Sequence, residues 1–290
     1  MISGANLLNP VRHISLKKIY FKYVFRVLKA YLIWSCIYAV WDGVYQSGKL
    51  AFATTIIRGK YHLWFLPMIA GIYILIPVLR KLTENLAIAG YFLALALAFT
   101  FFIPAVFSVL RFSEGSVFYA LTHAFEEVYS DMKFHFTLGY TAFFVAGYFF
   151  ETIVLQLPVR RMIYLLGIGA ACITIGTIYY AEVYSAPPIE NDFYFLLDAL
   201  EAAAMFVFVK YNISPRLSSA WWNQYIRNIS NYTFGIYLVH AMVLDELKKL
   251  GMNIKAIPIL QIPVNVILIF GISMGITYCL RKIPLLRRIV

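Results

Sequence analysis

The sequence predicts an all-α integral membrane protein: a polytopic bundle of about eight transmembrane helices with both termini in the cytoplasm. Three observations carry this. Of the 290 residues 62% are hydrophobic and only 13% are charged, with a mean hydropathy of +0.75, well above the roughly half-apolar mixture of a soluble domain. The apolar residues gather in runs of about 20, the helical length that crosses a hydrocarbon core of about 30 Å while satisfying its own backbone. Lys and Arg are dense in every second connection between those runs. The alternating pattern of a β-barrel strand is missing from the sequence.

The strongest runs cover 62–79, 86–110, 162–181 and 257–280, each free of acidic and basic side chains. Weaker runs cover 24–44, 136–157, 193–211 and 229–247, which are shorter or interrupted by Arg26, Lys29, Glu151, Asp198, Glu201, Asp245 and Glu246. The connections at 12–29, 80–81, 160–161, 210–227 and 281–288 hold 17 Lys and Arg, and the alternate connections hold 8. The richer set is expected on the cytoplasmic side. Glu114, Glu126, Glu127, Asp131, Glu182, Glu190 and Asp192 fall in the opposite connections, so the outer face is expected to be acidic. The longest outer connection, 111–135, is expected to hold a short amphipathic helix. Gly271 and Gly275, four apart, are expected to let neighbouring helices approach closely.

The chain reads as one transmembrane domain over 1–290, with no soluble domain, repeat or low-complexity tract. No cleavable signal is expected at its start. The net charge of +11 sits in short clusters between apolar runs, so the expected partners are the lipid bilayer, anionic headgroups and an anionic cytosolic ligand, not nucleic acid. Cys36, Cys172 and Cys279 lie in apolar runs without metal-ligand spacing, and are expected to be buried thiols; no metal is expected. The sequons at Asn212, Asn228 and Asn231 fall on the predicted cytoplasmic side, where the signal is empty.

Ionisable residues inside a membrane are expensive and so are functional candidates. His62 and Trp64, in KYHLWFLP, stand at the predicted outer mouth of their span; they form either an interfacial aromatic belt with Tyr61 or a polar site lined by the imidazole. His240, in ISNYTFGIYLVHAMVL, lies about eleven residues into its span, and serves either as a hydrogen-bonded tie between helices or as a site residue. Asp245 is five residues on, about 140° around a helix, which rules out a local acid–His pair. Asp198 and Glu201 share a helix face; they either share a proton as a buried pair or face a wet cavity on a tilted or shallow span. Lys22, Arg26 and Lys29 share a face at the cytoplasmic mouth; they hold lipid there or grip an anionic ligand such as a nucleotide-bearing cofactor.

The segments MISGANLLN with KKIYFKYVFRVLKAYLIW, YHLWFLPMIAGIYILIPVLR, and SNYTFGIYLVHAMVLDEL resemble, in order and rough spacing, the membrane-bound acyltransferase family 3. These are the O-acyltransferases of bacterial surface polysaccharides, and the likeness is greatest to the enterobacterial common antigen O-acetyltransferase type. The stretch 86–228 resembles the family in hydropathy alone. The resemblance implies a ten-helix pattern of which this chain lacks the first helix and most of the second. The family's catalytic His would then lie upstream of Met1, leaving His62 and His240 as candidates within the chain. It further implies acetyl-coenzyme A as acyl donor, bound through Lys22, Arg26 and Tyr31. Here Tyr23 and Lys29 replace a family Arg and Pro. The implied acceptor is a sugar hydroxyl of a cell-surface or lipid-linked glycan near His62 and Trp64, at the bacterial inner membrane. The competing readings are a non-catalytic acyltransferase-like membrane protein and a proton-coupled transporter or glycan exporter using Asp198 and Glu201.

Overall fold

The computed structural model describes residues 1–10, 12, 14–43, 48–110, 117–131, 134–185, 191–217, 219–251, 258–283 and 286–288. Every regular element among them is a helix. Helices occupy all eight expected positions, and five of them are long and apolar enough to cross a membrane: Leu16–Trp41, Tyr61–Thr83, Leu86–Val109, Leu157–Ala181 and Gln261–Lys282. The other three are Phe134–Thr152, Asn191–Phe208 and Thr233–Lys249. Local chemistry sets several of the ends. Asn85 Oδ1 accepts from the Ala87 and Ile88 amides at 2.8 and 3.4 Å, supplying an acceptor to helix-start donors that lack an intrahelical partner. Ser15 and Ser219 cap their helices in the same way. Pro158, in the first turn of Leu157–Tyr184, has no amide proton to leave unpaired there.

The chain folds as two compact units. The first comprises residues 1–13 and 75–217. Its core joins Ala96, Phe101, Leu138 and Ala142, with Phe101 stacked on Phe195 at 4.8 Å between ring centroids. Ile2–Leu7 lies so close to Phe134–Thr152 that a Cβ on Gly4 would sit 1.7 Å from the Phe144 carbonyl oxygen. Cations tie the chain ends in this unit. Arg80 donates to the carbonyls of Asn9 and Arg12 at 2.9 and 2.6 Å. Lys210 Nζ donates to the carbonyls of Phe150, Glu151 and Ile153, which are groups left open where a helix ends.

The second unit comprises residues 14–74 and 218–290. Contacts fix the directions of its helices. Tyr38 meets His62 and Tyr23 meets Tyr73, so Tyr61–Thr83 runs antiparallel to Leu16–Trp41. Arg26 meets Phe234 and Lys249 meets Trp41, so Thr233–Lys249 runs parallel to Leu16–Trp41. Arg281 donates to the Asn231 carbonyl at 2.6 Å, which places the end of Pro258–Lys282 beside the start of Thr233–Lys249.

Several expectations change. The stretch carrying Arg58 and Lys60 is not a simple outer connection, because Lys49–Arg58 is a helix that returns alongside Leu16–Trp41. Tyr31 Oη donates to the Ile57 carbonyl at 2.7 Å, and Tyr31 lies about 15 Å of helix below Trp41. Cys36, Cys172 and Cys279 are exposed, not buried; an apolar run in a membrane protein faces lipid as readily as its own core. A Cβ on Gly271 or Gly275 would meet nothing within 4 Å among the described residues, and tight helix approaches occur instead at Gly4, at Gly147 against Met1 and at Gly167 against Ala204. The amphipathic helix expected in 111–135 is present as Val117–Asp131, with Phe118, Leu121, Phe125 and Val128 along one side. Arg111, Glu114, Lys133, Glu190, Lys255 and Ile257 lie outside the described residues, as do the side chains of Lys49, Glu182 and His135.

Candidate functional site

The site is built on one face of Leu16–Trp41. Tyr31, Ser35, Tyr38 and Asp42 follow one another at steps of three or four residues, with Trp34 next to Ser35 and four before Tyr38, so they form a single stripe. Trp34, Ser35 and Tyr38 are buried. Two other segments close on this stripe. The first is the turn after Lys49–Arg58. Gly59 has φ of +68°, a backbone region open to glycine, and a Cβ there would come within 3.0 Å of the Tyr31 ring and 3.1 Å of Ser35 Oγ. The second is Thr233–Lys249. Tyr38 Oη donates to the Leu238 carbonyl at 2.8 Å and accepts from the Met242 amide at 3.3 Å, so one phenol serves both members of an i, i+4 backbone pair.

His62 follows Gly59 by three residues, in the 3₁₀ turn Tyr61–Trp64. Its ring stands edge-on to Tyr38 at 5.1 Å, to His240 at 5.1 Å, to Tyr61 at 5.4 Å and to Tyr237 at 5.8 Å. His62 is only 7% exposed, and neither ring nitrogen has a hydrogen-bond partner; the Leu238 carbonyl, already accepting from Tyr38, is the backbone group that interacts with the ring. The Tyr237 hydroxyl donates to the His62 carbonyl and locks the turn to the helix. His240 is different. Its Nδ1 lies 2.6 Å from the Tyr237 carbonyl, and a carbonyl only accepts, so the proton of the neutral ring belongs on Nδ1. That leaves Nε2 with a free lone pair.

A charged cap covers one end of this cluster. Lys60 Nζ binds Asp42 at 2.8 Å and Asp245 at 3.3 Å, and lies 5.8 Å from the centre of the Tyr38 ring. Partial burial by itself lowers the pKa of this ammonium, but the hydrogen bonds and negative charge of the two carboxylates outweigh it and the net shift is upward. The other end of the unit is basic. Arg26 lies over the Phe234 ring at 5.4 Å, Lys22 and Lys29 are exposed, and His240 is about 9 Å of helix above Phe234.

The sequence-predicted residues divide accordingly. His62 and His240, 178 positions apart, come together. His62 and Trp64 differ in exposure, at 7% and 50%. Lys22 lies in the π-helical turn Ile19–Val24, whose wider winding breaks the regular i, i+4 stagger between Lys22 and Arg26. Tyr31 stands above the basic cluster, with its hydroxyl used by Ile57. Asp245 pairs with Lys60 and not with His240. In the first unit, Glu201 accepts from Thr174 Oγ1 at 3.2 Å while Asp198 is exposed. Trp34, Ser35, Tyr38, Asp42 and Lys60 escaped the sequence reading. The available signal was the polar-headed stripe at 31, 34, 35, 38 and 42 inside an otherwise apolar helix.

A family model described as an acyltransferase domain, of the acyltransferase-3 type, matches residues 1–281. No curated protein and no solved structure matches the chain.

Proposed function

This chain belongs to the acyltransferase-3 family, and we propose that it moves an acetyl group from cytosolic acetyl-coenzyme A to a sugar hydroxyl of a cell-surface or lipid-linked polysaccharide at the bacterial inner membrane. The observation that carries the proposal is the position of the two imidazoles: within one unit, His62 and His240 stand between a basic end at Lys22 and Arg26 and a carboxylate-bearing end at Asp42 and Asp245. An anionic nucleotide donor is drawn to the first end. A neutral carbohydrate meets no barrier of charge at the second, where aromatic rings offer apolar faces.

The chemistry follows from the free Nε2 of His240. As the sugar oxygen attacks the thioester carbonyl, Nε2 takes the hydroxyl proton. A C–O bond forms, the C–S bond breaks, and the imidazolium returns the proton to the departing thiolate. His62, whose ring has only the Leu238 carbonyl beside it and no hydrogen bond on either nitrogen, orients the acceptor hydroxyl. The test is transfer of label from [¹⁴C]acetyl-coenzyme A to glycan in vesicles that carry the purified protein. Labelling above protein-free vesicles, lost in His240→Gln, is the expected result; labelling no higher than in protein-free vesicles refutes the proposal.

A further inference from the structure

Buried polar groups in folded proteins are almost always hydrogen-bonded, so a cluster of unpartnered ones requires an explanation. Such a cluster lies on the stripe of Leu16–Trp41. Trp34 Nε1, Ser35 Oγ and both ring nitrogens of His62 have no partner, in residues that are 5%, 1% and 7% exposed. Close contacts link the three side chains. The Trp34 ring meets the Tyr38 ring at 6.2 Å, the Tyr38 ring meets His62 at 5.1 Å, and Ser35 Oγ faces the Gly59 backbone that leads into His62.

The helix itself offers Ser35 a remedy that it does not take. Buried hydroxyls elsewhere bond to a carbonyl three or four residues back: Ser108 to Ala105 at 2.9 Å, Thr141 to Leu138 at 3.1 Å, Thr277 to Ser273 at 2.7 Å. That local bond is the usual fate of a hydroxyl inside a helix. Thr100 and Ser273 are unpartnered too, but among the described residues neither has a second orphan on its own helix.

The chemistry of the orphans selects the ligand. An indole N–H can only donate, and a hydroxyl can donate beside it. Together they suit an atom with lone pairs and no proton, which is a carbonyl oxygen or the oxyanion derived from it. Ser35 stands about 13 Å of helix above Arg26, a separation that the pantetheine arm of a coenzyme A thioester bridges when its phosphates rest on the basic end.

We propose that Trp34 Nε1 and Ser35 Oγ donate hydrogen bonds to the acyl carbonyl oxygen of the donor thioester. They then hold the negative charge that this oxygen takes up when the acceptor hydroxyl attacks. This rests on the acyl-transfer reading, and it adds the residues that act on the acyl group. Donors aimed at such an oxygen in a water-poor site act mainly on the rate of the chemical step, and removing one costs about a hundredfold or more in kcat.

The experiment is isotope-edited infrared spectroscopy of [1-¹³C]acetyl-coenzyme A bound to the full chain in lipid nanodiscs, paired with transfer kinetics. The expected result is a carbonyl stretch at lower wavenumber in the wild type than in Ser35→Ala or Trp34→Phe, with Ser35→Thr restoring it. In parallel, kcat for transfer falls about a hundredfold in Ser35→Ala while KM for acetyl-coenzyme A changes less than about threefold, the pattern of an interaction made in the transition state. A stretch unchanged by both substitutions assigns the orphans to buried water and overturns the inference even where transfer persists. A stretch that responds to the substitutions in a protein that transfers nothing keeps the site and overturns the reading of function. A wild type that holds no acetyl-coenzyme A overturns both.

Discussion

His62 and His240 meet edge to face, with ring centroids 5.1 Å apart, although one follows a glycine turn and the other sits in the middle of a helix. Their hydrogen bonding is unequal. His240 is fixed through Nδ1 to its own helix, and His62 is bound through neither nitrogen. In the proposed reaction the proton-accepting role is given to His240, whose ring is already oriented by its Nδ1 bond. His240→Asn places an amide where Nδ1 lies and keeps a donor to the Tyr237 carbonyl, so the fold is expected to persist while no base remains. Loss of a general base lowers kcat by about 10²–10⁴-fold, and KM for acetyl-coenzyme A is expected to stay within about twofold, since removing a group that acts in the transition state spares donor binding. A variant that retains more than a tenth of the wild-type kcat removes His240 from the mechanism.

Tyr38 links two helices through the Leu238 carbonyl and the Met242 amide. Tyr38→Phe keeps the ring contacts with Trp34 and His62 but removes both bonds. The two backbone groups are i and i+4 partners and can pair with one another, so the loss is expected to be modest, about 1 kcal/mol, well short of what an orphaned pair costs. Thermal unfolding followed in nanodiscs is expected to show a fall of about 2–4 °C. A fall several times larger means that the backbone pair does not re-form.

How far the sequence foretold this arrangement depended on the physics behind each feature. Helix positions were legible, because a continuous apolar run is enforced by the bilayer over some 20 residues. The half-length helix Lys49–Arg58 was not. Ten residues containing Thr54, Thr55 and Arg58 look like an extramembrane connection until the Tyr31 hydroxyl is seen to hold Ile57. His62 and His240 stood out individually as ionisable groups in apolar surroundings, but their meeting depends on packing between segments 178 positions apart. Trp34 and Ser35 were passed over because indoles and small hydroxyls are ordinary in membrane helices; only the lack of partners marks them. The buried thiols were wrongly expected because hydropathy does not separate a lipid-facing surface from a core.

The distribution of Lys and Arg predicts opposite sides of the membrane for Val117–Asp131 and for the end of Pro258–Lys282, which carries Arg281 and Lys282. Single cysteines placed at Glu126 and after Lys282, in a background lacking Cys36, Cys172 and Cys279, are expected to respond differently to a membrane-impermeant maleimide in intact cells. Glu126→Cys is labelled and the carboxyl-terminal cysteine is not. Equal labelling of the two reverses the side assigned to one of them and separates the donor from the basic end.

Arg26 offers two things at the basic end: charge, and a planar guanidinium that lies on Phe234. Phosphate recognition uses both the charge and the forked geometry. Arg26→Lys keeps only the charge, and Arg26→Ala keeps neither. KM for acetyl-coenzyme A is expected to rise about tenfold in Arg26→Ala, the loss of about 1.4 kcal/mol of charge-assisted binding, with an intermediate rise in Arg26→Lys and little change in kcat. The wild-type KM is expected to rise with salt, and the Arg26→Ala value to depend on it less. Equal KM values for the three proteins at low salt dismiss Arg26 as a donor contact.

Lys60 is the cation between two carboxylates, at 2.8 Å from Asp42 and 3.3 Å from Asp245. Replacing it with Met leaves Asp42 and Asp245 facing each other without compensation. Removing one partner from a partly buried ion network is expected to cost about 1–3 kcal/mol near neutral pH. The pH dependence follows from the upward shift of the Lys60 pKa, caused by the two carboxylates against the opposing effect of burial. A cation whose pKa is higher in the folded than in the unfolded chain stabilises the fold fully below the unfolded value, here the ordinary 10.5 of lysine. That stabilisation is lost as the pH climbs through the higher folded value. The difference in unfolding temperature between wild type and Lys60→Met is therefore expected to be constant from pH 7 to about pH 10 and to close above it. A difference that stays open well beyond that range, or one that is already absent at pH 7, would show that the carboxylates do not hold Lys60 as a charged partner.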